Sequence, residues 1–136
     1  MNKKRSYLNI LMLLRVIGWL LIIESFFMIF PLIAAFIYGE QEVMAFLLSI
    51  GITGVSGLIM VLLKPRSKEM GKREAIGLTG LTWVILSIFG MLPFLLCKTH
   101  ISVIDGFFET MSGFTTTGAS VLNTLVGVPK SILLWR

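Results

Sequence analysis

Between Val43 and Leu63 the chain runs for twenty-one residues without a charge. Coiled as an α-helix, such a run is about 30 Å long, the thickness of a bilayer's hydrocarbon core. Two comparable runs accompany it. Leu8 to Phe36 is interrupted by only two charges, Arg15 and Glu24, and Ala75 to Cys97 by none. A soluble domain of 136 residues has too little interior to hide three such segments, and here 56% of residues are hydrophobic and only 14% charged. The pattern predicts three membrane-spanning helices. The first run is much longer than the apolar core of a signal peptide, and Ala34-Ala35 is a poor cleavage site, so it reads as an uncleaved span.

The net charge of +5 does not indicate nucleic-acid binding, because the bases sit in blocks between the apolar runs rather than along one face. Lys3, Lys4, Arg5 and Arg15 form one block; Lys64, Arg66, Lys68, Lys72 and Arg73 form the other. The 38–42 turn carries Glu40 and Glu42 and no base. Basic loops stay in the cytoplasm. The N-terminus and a basic loop at 64–74 are therefore expected inside and the 38–42 turn outside, with Lys98 a minor exception. A multi-pass protein of the cytoplasmic membrane, surrounded by lipid, follows. Cys97 is the one cysteine and His100 the one histidine, which leaves no intrachain disulfide and no Cys/His metal cluster. They read as a membrane-edge thiol and a surface imidazole. With no nucleophile–base pair or metal constellation, the sequence does not read as an enzyme and implies no cofactor.

Within the spans, Arg15 is near enough to the basic end to snorkel. Glu24 lies roughly 12 Å deep and about 180° around the helix from Arg15, so it needs a partner on another helix, a wet cavity or a proton. Ser49, Thr53 and Gly57 recur every fourth residue, with Gly51 and Gly54 nearby, a stripe that lets helices approach closely. Gly77 and Gly80 suggest tight packing at the start of the third span. Pro93 has no N–H for the Phe89 carbonyl, which predicts a kink or loosened turn there.

The stretch Ser102 to Ser120, SVIDGFFETMSGFTTTGAS, behaves differently. Ser102 and Asp105 have the S-x-x-D spacing of a helix N-terminal cap. Val103 to Phe114 makes a helix of about 18 Å, roughly half a bilayer. Six extended residues, Thr115 to Ser120, reach up to ~20 Å and undo that descent. Non-helical backbone at such depth is tolerated where protein buries it or where it lines a wet cavity. Carbonyls of Thr115, Thr116, Thr117 and Gly118 facing a pore would replace the water shell of an ion, with Gly118 free to take positive φ. The helix C-terminus near Gly113 would favour a cation. Asp105 and Glu109 cap the helix, bind a neighbouring basic group or concentrate cations at the mouth; they form no divalent-metal cage. No phosphate loop is present either, since no Gly-Lys-Ser/Thr occurs.

The run from Asp105 to Ser120, DGFFETMSGFTTTGAS, closely resembles the first pore loop of the Trk/Ktr/HKT potassium transporters, most like the bacterial TrkH-type membrane subunit. The resemblance implies an all-α membrane fold of four membrane–pore-loop–membrane repeats, each supplying a quarter of a potassium filter. By that pattern residues 1–63 are two leading helices, and 75–136 is an incomplete first repeat. Its outer helix is 75–97, its pore helix 103–114 and its filter 115–120, with Gly118 as the filter glycine. Potassium is the transported ion, bound by filter carbonyls. The resemblance further implies a homodimer and a cytoplasmic nucleotide-binding regulatory subunit, and a longer chain carrying the remaining repeats. The competing expectation is a three-span accessory protein without a pore, which leaves the helix cap, the half-bilayer helix and the threonine run unexplained.

Overall fold

The structure, a computed structural model, describes residues 10–64, 72–97, 101–122 and 127–136. The basic head at 1–5, most of the 64–74 loop, Lys98 and His100 lie outside the described residues. Seven helices follow in order: α1 (Ile10–Phe27), α2 (Ile29–Tyr38), α3 (Val43–Leu62), α4 (Lys72–Gly90), α5 (Leu92–Leu96), α6 (Val103–Phe114) and α7 (Lys130–Trp135). No strand occurs among the described residues. Among the described residues, three segments are long and apolar enough to cross a membrane: Ile10–Tyr38, Val43–Leu62 and Ala75–Leu96. The helical geometry of α4 already begins at Lys72, so the last three residues expected in the basic loop belong to the helix.

Two of the spans are broken, and proline explains both. The third span divides at Met91, two residues before Pro93, where the sequence predicts a loosened turn. The first divides at Met28, three residues before Pro31, a break that reading the apolar run as one helix overlooks. In each case the proline supplies no N–H to the carbonyl four residues back, Phe89 or Phe27. Backbone bonds continue across each break. Met28 N–H donates to the Glu24 carbonyl at 3.1 Å and Met91 N–H to that of Ser87 at 3.1 Å.

The first two spans meet backbone to backbone. A Cβ added at Gly18 would lie 2.7 Å from the Gly57 carbonyl oxygen, and one at Gly57 would lie 2.8 Å from that of Gly18. Ser49 and Thr53 on the same α3 face are fully buried. Ser25 Oγ crosses the contact to donate to the Ile50 carbonyl at 3.1 Å, while Ser49 Oγ donates back to Ala45 at 2.7 Å. Small residues thus do what the stripe predicts: they bring helices close. Gly77 and Gly80 do not, since a Cβ at either would meet nothing within 4 Å. In α4 the tight position is Gly90.

Burial is inverted relative to a water-soluble protein. Glu24, Ser49, Thr53, Ser87 and Glu109 are inside, while Ile37, Leu62, Ile76 and Ile104 face outward, Ile104 at 80% exposure. Such a surface is matched by lipid, not by water.

At one end of the bundle, Ala45 and Phe46 of α3 pack with Phe94, Cys97 and Ile132, drawing α5 and α7 to the start of α3. Glu40, in the turn between α2 and α3, reinforces this. Its carboxylate accepts from the Lys130 N–H at 2.6 Å and from both the N–H (3.1 Å) and the hydroxyl of Ser131. Lys130 Nζ sits 4.0 Å above the Tyr38 ring. Burial pushes the Glu40 carboxyl up, but the bonds from Ser131 and Lys130 and the lysine charge outweigh it and hold the group below the usual carboxylate range. The chain leaving the loop after α6 therefore returns to the membrane side occupied by the 38–42 turn.

Candidate functional site

The site is built on α6 and the loop that follows. Ser102 has extended backbone (φ −67°, ψ 159°), and its Oγ accepts from the Asp105 N–H at 3.1 Å, satisfying one of the free donors of the first turn. Asp105 places a negative charge at the helix's positive end. Twelve residues on, the helix stops. Its polar side, Gly106, Glu109, Thr110 and Ser112, is buried, and Val103, Ile104 and Phe108 are exposed. Two contacts set α6 against α4: Ser87 Oγ donates to Met111 Sδ at 3.5 Å, and the Trp83 and Phe114 rings stand 6.5 Å apart.

The return path departs from the expected six extended residues. Thr115 is helical in sense (φ −84°, ψ 3°), and Thr116 turns left-handed at φ 55°. Thr116 N–H then donates to the Gly113 carbonyl at 3.1 Å and Thr117 N–H to that of Ser112 at 3.0 Å. This is the paired helix stop normally completed by glycine. The last carbonyls of α6 need donors, and folding Thr115 and Thr116 back over the helix end supplies them. The loop proper begins at Thr117. Gly118 has the positive φ, 71°, that its lack of a side chain permits.

Thr115, Thr116, Thr117 and Gly118 are all exposed. Their hydroxyls are used locally: Thr115 Oγ1 donates to the Met111 carbonyl at 2.8 Å and lies 2.8 Å from Thr117 Oγ1. Among the described residues, none donates a hydrogen bond to the backbone carbonyls of these four. The carbonyl oxygens of the residues expected to face an ion are thus unpartnered by the described residues. Such oxygens suit a hard monovalent cation. Among the described residues, no group of three His, Cys, Asp or Glu side chains could hold a metal ion.

The loop's far end is braced by the helix. Ser112 Oγ donates to the Ala119 carbonyl at 2.7 Å. Glu109 Oε1 accepts from Ser120 Oγ at 2.6 Å and from the Val121 N–H at 2.7 Å. Glu109 Oε2 lies 3.1 Å from Arg136 Nε. Of the roles open to Glu109, the contact seen is with a basic neighbour, and its side chain is 1% exposed. Its bracing bonds were not foreseeable from spacing, because Ser120, Val121 and Arg136 reach it only through the fold. Trp135 adds a second tie from α7, its indole N–H donating to the Gly90 carbonyl at 2.8 Å, beside the break at Met91.

Glu24 is 5% exposed, and neither carboxylate oxygen has a hydrogen-bond partner. Of the three provisions it was expected to need, the structure supplies a cavity of about 360 Å³, lined also by Thr110, Gly113 and Arg136. Gly90 makes room for it, since a Cβ there would lie 2.6 Å from both Glu24 Oε1 and Thr110 Cγ2.

Known proteins share this fold. No family model matches the chain. It is 34% identical over 131 residues to the Trk system potassium uptake protein TrkH of Halomonas elongata, a match covering 95% of this chain and 27% of that protein. With TrkH of Escherichia coli the identity is 36% over 126 residues, 90% of this chain and 26% of the other. The crystal structure of the potassium transporter TrkH from Vibrio parahaemolyticus superposes with a TM-score of 0.86 at 32% identity, covering 94% of this chain and 28% of that one. The chain spans about a quarter of the length of the relatives it matches.

Proposed function

We propose that this chain, similar to TrkH over nearly all of its own length, belongs to the Trk/Ktr/HKT potassium transporter family and supplies one quarter of a potassium-conducting filter. The loop Thr115 to Gly118 is that quarter. Its backbone carbonyls contribute oxygens to ion sites that three further such loops complete. Potassium enters from the side of the 38–42 turn, which is the outer face, and moves into the cell with the cytoplasm on the side of the N-terminus and the 64–74 loop.

One observation carries this reading. An exposed loop with two left-handed residues, Thr116 and Gly118, has carbonyls that accept no hydrogen bond from the described residues, while backbone carbonyls of α6 hold its near end and the buried side chains of Ser112 and Glu109 hold its far end. Leaving four carbonyls without donors is costly unless water or an ion satisfies them. Oriented carbonyls act on an ion without a proton-transfer step, and their fixed spacing replaces hydration for an ion of suitable size. The C-terminal end of α6 adds a negative partial charge below the loop.

The remaining parts of the working assembly follow from family membership. They are the other three repeats, a second copy of the subunit, and a cytoplasmic nucleotide-binding partner that gates it. The test is growth of a bacterium lacking its own potassium uptake, on limiting potassium, when the complete native chain is expressed. Growth at potassium concentrations that do not support the empty vector is expected. No rescue, with membrane expression confirmed, contradicts the reading.

A further inference from the structure

Glu24 plays no part in the filter, and its surroundings are unusual for a buried acid. Neither carboxylate oxygen has a hydrogen-bond partner among the described residues, and the residue lines the cavity between α1, α2, α5, α6 and α7. An acid in such a place is met by a positive partner, by water or by a proton, and the cavity beside it has room for the first. Arg136 lines the same cavity but is already ion-paired with Glu109 at 3.1 Å. Glu109 is thus a third charged group beside this region, and it and Arg136 neutralise each other locally.

The rest of the wall decides what kind of cation fits. Phe27, Phe30, Phe94, Phe114 and Trp135 all line the cavity. Its side-chain oxygens are few: the carboxylate, and Thr110 Oγ1, whose proton is already given to the Gly106 carbonyl at 2.9 Å. A bare inorganic cation needs a nearly complete shell of oxygens to replace water. An organic ammonium ion does not. Its N–H groups make charge-assisted hydrogen bonds to one carboxylate, and aromatic walls stabilise the charge and cover its apolar body. The volume, about 360 Å³, lies at the small end of the range for organic ligand sites.

We propose that the Glu24 cavity binds a primary organic ammonium ion carrying a small aromatic or aliphatic body, with Glu24 as its anion and the phenylalanine cluster as its enclosure. The ligand would rest against Thr110, Gly113 and Phe114 of the pore helix, behind the filter loop rather than in the conduction path.

The experiment measures binding of benzylammonium to the complete native chain in nanodiscs by titration calorimetry, with empty nanodiscs subtracted. Benzyl alcohol, which has the same ring without the charge, is the comparison ligand. Saturable benzylammonium binding is expected, at least tenfold tighter than benzyl alcohol, and Glu24→Gln should weaken it at least tenfold. Unchanged affinity in Glu24→Gln, equal binding of the alcohol, or no saturable binding at all overturns the proposal. Should Glu24→Gln fail to fold, Phe30→Leu keeps the bulk and removes a ring. At least threefold weaker binding is then expected, and unchanged binding overturns the proposal. Potassium flux does not enter this measurement, so its failure leaves the filter reading untouched, and loss of that reading leaves this one standing.

Discussion

Glu109 of α6 and Arg136 at the end of α7 face each other across 3.1 Å, the carboxylate almost wholly buried and the arginine 28% exposed. The other oxygen of the same carboxylate holds Ser120 and Val121. One side chain therefore ties the loop to α7, so the two cannot shift independently. Glu109→Gln keeps an acceptor for the loop and loses the charge facing Arg136. Removing one partner of a buried pair costs about 3–5 kcal/mol, and the partial exposure of Arg136 reduces that to about 2–3 kcal/mol. Glu109→Ala also strands the loop donors and should cost more. Thermal unfolding of the complete chain in detergent should rank native above Gln above Ala; equal midpoints would contradict the bracing role.

Thr116 occupies a left-handed position normally taken by glycine. That conformation costs a residue with a Cβ about 1–2 kcal/mol, against about 0.5–1 kcal/mol of extra chain entropy for glycine. Thr116→Gly should consequently stabilise the protein by about 0.5–1 kcal/mol, visible as a higher unfolding midpoint. A lower midpoint would mean that Thr116 does not end α6 in this way.

Two glycines of α4 should respond oppositely to alanine. At Gly90 the new Cβ would stand 2.6 Å from Glu24 and Thr110, so overpacking costs about 1–3 kcal/mol. At Gly77 it meets open space, and better helix propensity should add up to about 1 kcal/mol. Unfolding of the two variants side by side checks this. Equal effects would refute the close junction of α1, α4 and α6.

Acid should loosen the anchor between Glu40 and α7. The Glu40 carboxyl is held below its ordinary value of 4.5, so the folded state binds its proton less readily than the unfolded chain. The stability this contributes is present in full well above pH 4.5 and is lost as pH falls through the lower folded value. The midpoint difference between native protein and Glu40→Gln should hold constant from pH 7 to 6 and shrink below about pH 4.5. A difference that grows on acidification would reverse the sign and contradict the anchor.

Much of this architecture is legible in the chain because bilayer physics leaves few options. Twenty-one uncharged residues can only span, and Ser102 with Asp105 marks where α6 begins. Pro93 announces its break, as does Pro31 once the first span is not treated as uniform. The α6 stop is less readable, since Thr116 does a glycine's work while Gly118 stands two residues later and draws the eye. The partners of Glu109 are invisible in sequence because Arg136 lies 27 positions away and reaches it through α7. The tight α4 contact falls at Gly90, where three helices converge, and not at Gly77 or Gly80, because residue size permits an approach without saying which helix makes it.

The central claim, that the loop at Thr115 to Gly118 selects potassium, rests most directly on Gly118. It has φ 71° with no atom within 4 Å of an added Cβ, so a serine fits spatially while straining the backbone that aims the carbonyls. The decisive measurement is potassium and sodium uptake by the complete chain, native and Gly118→Ser, in vesicles at equal protein. Native protein should favour potassium strongly, and Gly118→Ser should lower that preference at least tenfold with expression unchanged. An unaltered potassium-over-sodium ratio would show that Gly118 is not part of the filter.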